Sequence, residues 1–267
     1  MPAAQPTTPL IAIDIGNSRV KLGLFDEAPK AGQLPLPARV LDLPTIDWDD
    51  AQLAAWLPAA PIWPEWRVAS VNRPAAALLI EWIERECRTP AGTPPAARLL
   101  TAADLPIVVG LEHPERVGLD RLAAAVAVNR LRSPDRAAII VDTGSAVTVD
   151  LVSADGVFRG GAILPGIDMS AQALHEFTDL LPLVSLNELS GPPPALGVST
   201  VTAIRGGLYW GLIGAVRELC VRLSADQPQP PELFLTGGAA AHLVRPLELT
   251  CRFEPHLVLS GIALARP

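Results

Sequence analysis

Residues 11–25, IAIDIGNSRVKLGLF, set an aspartate into an apolar run that has barely begun. Ile11 and Ile13 promise a buried strand, Asp14 interrupts it, and Gly16, Asn17 and Ser18 turn the chain before Val20, Leu22, Leu24 and Phe25 resume the pattern. A carboxylate at the end of a core strand is costly unless it meets a partner. Residues 139–152, IIVDTGSAVTVDLV, repeat the arrangement: Asp14 falls on Asp142, Gly16 on Gly144 and Asn17 on Ser145, and each segment continues as a strand. One strand-end DxG is an ordinary turn. Two matched copies about half a chain apart imply two similar subdomains.

The chemistry of these turns suits a nucleoside triphosphate. Glycine lets the backbone approach closely, successive N–H groups and Asn or Ser side chains donate to phosphate oxygens, and an aspartate holds a metal or its waters. A third turn, Gly237-Gly238 after LFLT, offers a flat backbone surface for an adenine ring. No GxxxxGK[ST] is present and no GxGxxG follows the first strand, which excludes a P-loop and argues against a dinucleotide fold.

The 267 residues suit one large or two modest domains. A hydrophobic content of 49% and a mean hydropathy of +0.32 provide ample core material. The net charge of −7 argues against nucleic-acid or membrane partners, which need a basic face, but leaves a phosphate ligand open. Cys87, Cys220 and Cys251 are scattered without CxxC spacing, which reads as buried thiols in a reducing compartment. No apolar stretch approaches the ~18 residues of a membrane span. The opening MPAAQPTTP lacks signal-peptide character, so residues 1–9 are expected to be flexible and the protein cytoplasmic.

Apolar patterning predicts strands in 10–16, 19–26, 38–44, 66–71, 97–102 and 106–112, three more joined by tight turns within 136–166, and another at 232–236. Helices are predicted over 45–57 (Thr45 or Asp47 as N-cap), 74–87, 118–131, 169–178 and 200–225, with loops at 88–96 and 190–197. The alternation is α/β. The duplicated unit divides the chain into 10–135 and 136–267.

The arrangement resembles the superfamily of actin, hexokinase and the heat-shock chaperone ATPases, and within it the type III pantothenate kinases. DIGNSRVK (14–21), PERVGLDR (114–121), VDTGSAVTVD (141–150), GGAILPG (160–166), ALHEFTDLLP (173–182), STVTAIRGG (199–207), LTGG (235–238) and LVLSGI (257–262) carry the resemblance over nearly the whole chain. It implies two ribonuclease H-like subdomains, each a mixed sheet flanked by helices. It also implies phosphorylation of pantothenate by ATP with Mg²⁺ and a monovalent cation, K⁺ or NH₄⁺, in a homodimer. Asp14 is then the residue facing Mg²⁺, directly or through water, and the phosphates, with Gly16, Asn17, Ser18 and Lys21 completing the first phosphate loop. Gly144, Ser145, Gly237 and Gly238 belong to the ATP site, and Asp142 matches the residue that coordinates the monovalent cation.

GLDR at 118–121 opens a helix, and a helix N-terminus favours anions. On residues alone, Asp120 reads equally as an N-cap and as a proton acceptor. The resemblance makes it the general base, with Gly118 and Arg121 in the pantothenate site. Thr200, with Thr202 beside it, and Thr178 are matched to the substrate pocket, a helix-cap role being the alternative for both positions. The apolar AIRGGLYWGLIGAV suggests burial in a partner copy. One departure stands out: Leu111-Glu112-His113 replace the tyrosine and asparagine that many members carry before the proline, which puts substrate affinity in question. Two other readings remain open, a kinase of another small hydroxy acid or sugar, and a non-catalytic nucleotide-binding regulator. Retention of Asp120, for which binding alone has no chemical need, favours the enzyme.

Overall fold

The computed structural model describes residues 9–26, 33–58, 64–87, 97–185, 191–240 and 246–266. Residues 1–8, the loop predicted at 88–96 and His242 lie outside them. The chain forms two compact units, Met1–Leu131 with His256–Pro267, and Arg132–Pro255.

In the first unit, strands β1 (Leu10–Ile15), β2 (Arg19–Phe25), β3 (Arg39–Pro44), β4 (Glu65–Ser70) and β5 (Ala97–Leu99) lie in the order β3-β2-β1-β4-β5. Central β1 is antiparallel to β2 and parallel to β4. Covered on both faces, it reads as a continuous apolar run, with Ile11, Ala12, Ile13 and Ile15 fully buried. Helix α1 (Asp50–Trp56) is capped by Asp49, which accepts from the N–H groups of Ala51 and Gln52, and not by Thr45 or Asp47. Thr45 caps a loop instead, as described below, and Asp47 takes a left-handed φ of 54°. Helix α2 (Arg73–Glu86) starts at the Asn72 cap with Pro74 in its first turn and buries Ala75, Ala76, Leu79, Trp82 and Ile83 along one stripe. A two-residue strand β6 (Val108–Val109) precedes α3 (Leu119–Leu131).

Leu122–Val128 of α3 are buried without a break, so this helix is apolar all round. One of its neighbours is the closing helix α6 (Leu257–Ala263), likewise buried at every position. At their crossing the missing side chain of Gly261 is essential: a Cβ there would lie within 3.0 Å of the O, C and Cα of Ala123. This backbone-to-backbone packing corrects the expected division, since residues 256–267 belong to the first unit. The units meet at 131/132 where 135/136 was expected, and Arg132 Nη1 donates to the carbonyls of Arg136 (2.8 Å) and Ala154 (3.0 Å) within the second unit.

The second unit contains β7 (Ala138–Thr143), β8 (Ala146–Val152), β9 (Val157–Pro165), β10 (Glu232–Thr236) and β11 (Cys251–Phe253), in the order β9-β8-β7-β10-β11. Pair by pair, the orientations match those of the first unit: antiparallel, antiparallel, parallel, parallel. Helices α4 (Ile167–Glu176) and α5 (Thr200–Ser224) complete the described core of this unit, α5 burying Tyr209, Leu212, Ile213, Val216 and Cys220. The sequence repeat is therefore a topological repeat, with one correction. Ile15 pairs with Val20, whereas Thr143 pairs with Val147, so the first hairpin loop is one residue longer. Ser18, not Asn17, is the counterpart of Ser145.

Candidate functional site

Each unit carries its own part of the predicted site. In the first, Asp14 sits one residue before the end of β1, opposite Lys21 on β2. Lys21 is one of two lysines in a chain whose other fixed cations are all arginine. A compact ammonium point charge at this position suits phosphate. Gly16 closes the turn by donating its N–H to Arg19 O (2.9 Å), and Asn17 and Ser18 are exposed at the tip. Arg19 is drawn off to Asp42 (2.7 Å). His256, at the start of α6, is held below its ordinary pKa by burial and, secondarily, by the charge of Lys21.

The end of β4 joins this loop to the GLDR segment. Val71 donates its N–H to Ile15 O (3.0 Å), and its Cγ1 lies 3.5 Å from where a Cβ of residue 118 would be. Asp120, in the first turn of α3, folds back so that Oδ1 accepts from Arg121 N (2.8 Å) and occupies the space a Gly118 side chain would need. Gly118 thus lies beside Val71, which follows β4 and is bonded to the end of β1, and Asp120 and Arg121 follow it in the first turn of α3. Leu111–His113 lead into this segment through a short turn, with His113 Nδ1 3.5 Å from Glu115 Oε1, an exposed loop arrangement.

In the second unit, Gly144 N donates to Ala146 O (3.0 Å), and two glycines close on the loop. Gly166 donates to Ser145 O (2.9 Å), and a Cβ on it would lie 2.5 and 2.6 Å from the carbonyl oxygens of Ser145 and Gly144. Gly237, at φ 97°, lies against the Asp142 carboxylate and the Thr143 backbone, while open space surrounds the Cβ position of Gly238. Asp142, Gly144, Ser145, Gly237 and Gly238 are thereby brought together, and Gly166 joins them. GGAILPG carried Gly166 in the sequence, but only the hydrogen bond to Ser145 gives it a role.

The threonines divide. Thr200 lines a groove of ≈ 660 Å³ with Leu174, Leu181, Val198, Ile204 and Leu208 among its walls. Thr202 instead closes a capping box with Ser199, its hydroxyl in contact with the Ser199 backbone and side chain. Thr178 does not line the groove; its hydroxyl donates to Leu174 O (2.6 Å) at the end of α4.

The donor sets bear on the metals. Among the described residues no group of three or more His, Cys, Asp or Glu side chains forms a cage. Asp14 and Asp142 are the carboxylates at the two strand-end loops, and oxygen donors of this kind suit a Mg²⁺ held together with substrate phosphates. The thiols of Cys87 and Cys220 are buried and pushed up to about 11 by desolvation, as unreactive core cysteines are. No described helix is long and apolar enough to cross a membrane.

The type III pantothenate kinase family profile matches residues 10–222. A type III pantothenate kinase of Alkalilimnicola ehrlichii is 36% identical over 264 residues, 96% of this chain and 97% of that one. One from Rhodopirellula baltica is 39% identical over 203 residues, covering 73% and 70%. Among solved structures, a Baf family protein of Campylobacter jejuni superposes with a TM-score of 0.56 at 18% identity, over 95% of each chain. The activator of 2-hydroxyisocaproyl-CoA dehydratase from Clostridium difficile, solved with bound ADPNP, gives 0.52 at 13% identity, over 96% and 92%. These two likenesses are of fold, that of the actin-like ATPases. By sequence, over most of its length, the chain belongs to the type III pantothenate kinase family.

Proposed function

We propose that this chain transfers the γ-phosphoryl group of ATP to the primary hydroxyl of pantothenate, forming 4′-phosphopantothenate and ADP, the first step toward coenzyme A. Beyond family membership, one observation carries the reading. Asp120 is held at the head of α3 by the Arg121 N–H, two residues after Gly118, which lies against Val71 at the end of β4, the strand paired with β1. Phosphoryl transfer asks mainly for alignment, charge neutralisation and a base near the acceptor hydroxyl. Asp120 takes the hydroxyl proton as the new O–P bond forms and the β,γ-bridging P–O bond breaks. Arg121 presents a guanidinium fork to the pantothenate carboxylate, and Thr200 adds a hydroxyl to the substrate groove.

Gly16, Asn17, Ser18, Lys21, Gly144 and Ser145 hold the phosphates, and Gly237-Gly238 support the adenine. Asp14 would hold Mg²⁺, directly or through water, which when bound would supply charge neutralisation at the transferring group, and Asp142 would hold K⁺ or NH₄⁺. The working form is a cytoplasmic homodimer without nucleic-acid or membrane partners. A surface suited to a second copy supports this reading: Phe177, Leu180 and Val198 are largely exposed, and Gly207, Gly211 and Gly214 leave one face of α5 open to close approach.

ADP release by the purified protein, with Mg²⁺ and K⁺, tests the assignment. Turnover should require pantothenate and fall roughly 10²–10⁴-fold in Asp120→Asn. Tight ATP binding without pantothenate-dependent turnover refutes it, directing the search to other hydroxy-acid acceptors and then to a regulatory role.

A further inference from the structure

The third strand of each repeat ends in Leu-Pro: Leu43-Pro44 in β3 and Leu164-Pro165 in β9. Each proline pairs with the first residue of the neighbouring strand, Pro44 with Arg19 and Pro165 with Ala146. Proline has no N–H to give, and the residue after it supplies the donor to the loop. Thr45 N donates to Ser18 O (3.1 Å), and Gly166 N to Ser145 O (2.9 Å). The two loops are thus tied by one device.

They differ at the extra residue of the first loop. There the Thr45 hydroxyl makes a second bond, to Gly16 O (3.2 Å), whereas Gly166 has no side chain and no room for one. Thr45 is only 3% exposed, so its hydroxyl is not available to bulk water. The N–H of a trans peptide points opposite to its C=O. Holding Gly16 O toward Thr45 therefore aims the Asn17 N–H away from Thr45, toward the outside of the loop.

We infer that Thr45 is a positioning residue for ATP, its hydroxyl fixing the Gly16–Asn17 peptide so that the Asn17 N–H donates to a phosphate oxygen. This rests on the reading of residues 16–18 as a phosphate loop. The test compares Thr45→Val, which keeps the shape and loses the hydroxyl, with Thr45→Ser, which keeps the hydroxyl. Gly16 is only partly buried, so its carbonyl can find water in Thr45→Val and the variant should fold. The KM for ATP is expected to rise roughly three- to tenfold in Thr45→Val, with the KM for pantothenate within about twofold of wild type. Thr45→Ser should restore the ATP value. Equal ATP KM in Thr45→Val and wild type, or Thr45→Ser as impaired as Thr45→Val, overturns the inference. Lys21→Ala, which removes the ammonium assigned to the same phosphate loop, separates the two levels. If it raises the ATP KM while Thr45→Val does not, only the positioning role falls; if neither variant moves it in an active enzyme, the phosphate-loop reading falls as well.

Discussion

Replacing Gly118 by alanine sets the space beside Asp120 against the chemistry assigned to it. A Cβ at 118 would lie inside 3.0 Å of Asp120 Oδ1, a separation real Cβ atoms essentially never show, with Val71 Cγ1 3.5 Å away on another side. Val71 need not move. The carboxylate must swing by about 1 Å to regain ordinary contact distance, and in doing so loses its bond from Arg121 N, now 2.8 Å. The obstacle is the far end of a flexible side chain at a partly exposed site, so folding suffers little. Losing one such hydrogen bond costs about 1 kcal/mol, or roughly 2–4 °C in melting temperature for a chain of this size class. Catalysis suffers more, because a 1 Å misplacement can cost about 10²-fold. Steady-state ADP release should show kcat reduced by about that factor with the KM for ATP unchanged, alongside a thermal melt close to wild type. A kcat within about threefold of wild type, where Asp120→Asn is inactive, would refute the idea that the Gly118 gap holds the base in place.

Gly261→Ala gains up to about 1 kcal/mol of helix propensity, yet must force α3 and α6 apart at Ala123. A net loss of about 1–3 kcal/mol is expected, and a melting temperature at or above wild type would contradict the packing described. Phe177→Asp, at a side chain 84% exposed, should convert a dimer to monomers in light scattering while leaving the monomer folded. A monomeric wild-type protein at micromolar concentration would remove the basis for the proposed dimer. His256 has its pKa lowered from 6.5 by burial and then by Lys21, so the unfolded chain takes up the proton more readily. Stability should therefore decline as the pH falls through about 6.5 toward the depressed folded value, less steeply in His256→Gln, as pH-dependent melts will show. Identical acid profiles for the two proteins would rule His256 out as a contributor.

The sequence by itself determined what depends on local pattern. Period-two and continuous apolar runs placed β1, β2, β7 and β8; the helix predicted over 74–87, opening on Pro74, is α2; and the two DxG turns marked the strand ends where Asp14 and Asp142 sit. GLDR marked the head of α3 in the same way, since a helix start is written in adjacent residues. The tertiary structure decided what depends on register and on contacts between distant segments. A gapless reading of the two hairpins set Asn17 against Ser145, because the extra loop residue shows only when hydrogen bonds pair Ile15 with Val20 and Thr143 with Val147. Thr45 looked like a helix cap because its short-range sequence resembles one; its partners, Gly16 and Ser18, lie almost thirty residues earlier in the chain. The closing helix followed the second half in sequence, and only the close approach of Gly261 to Ala123, more than a hundred residues back, returned it to the first unit. Propensity and periodicity act over a few residues, whereas close packing selects partners across the whole chain.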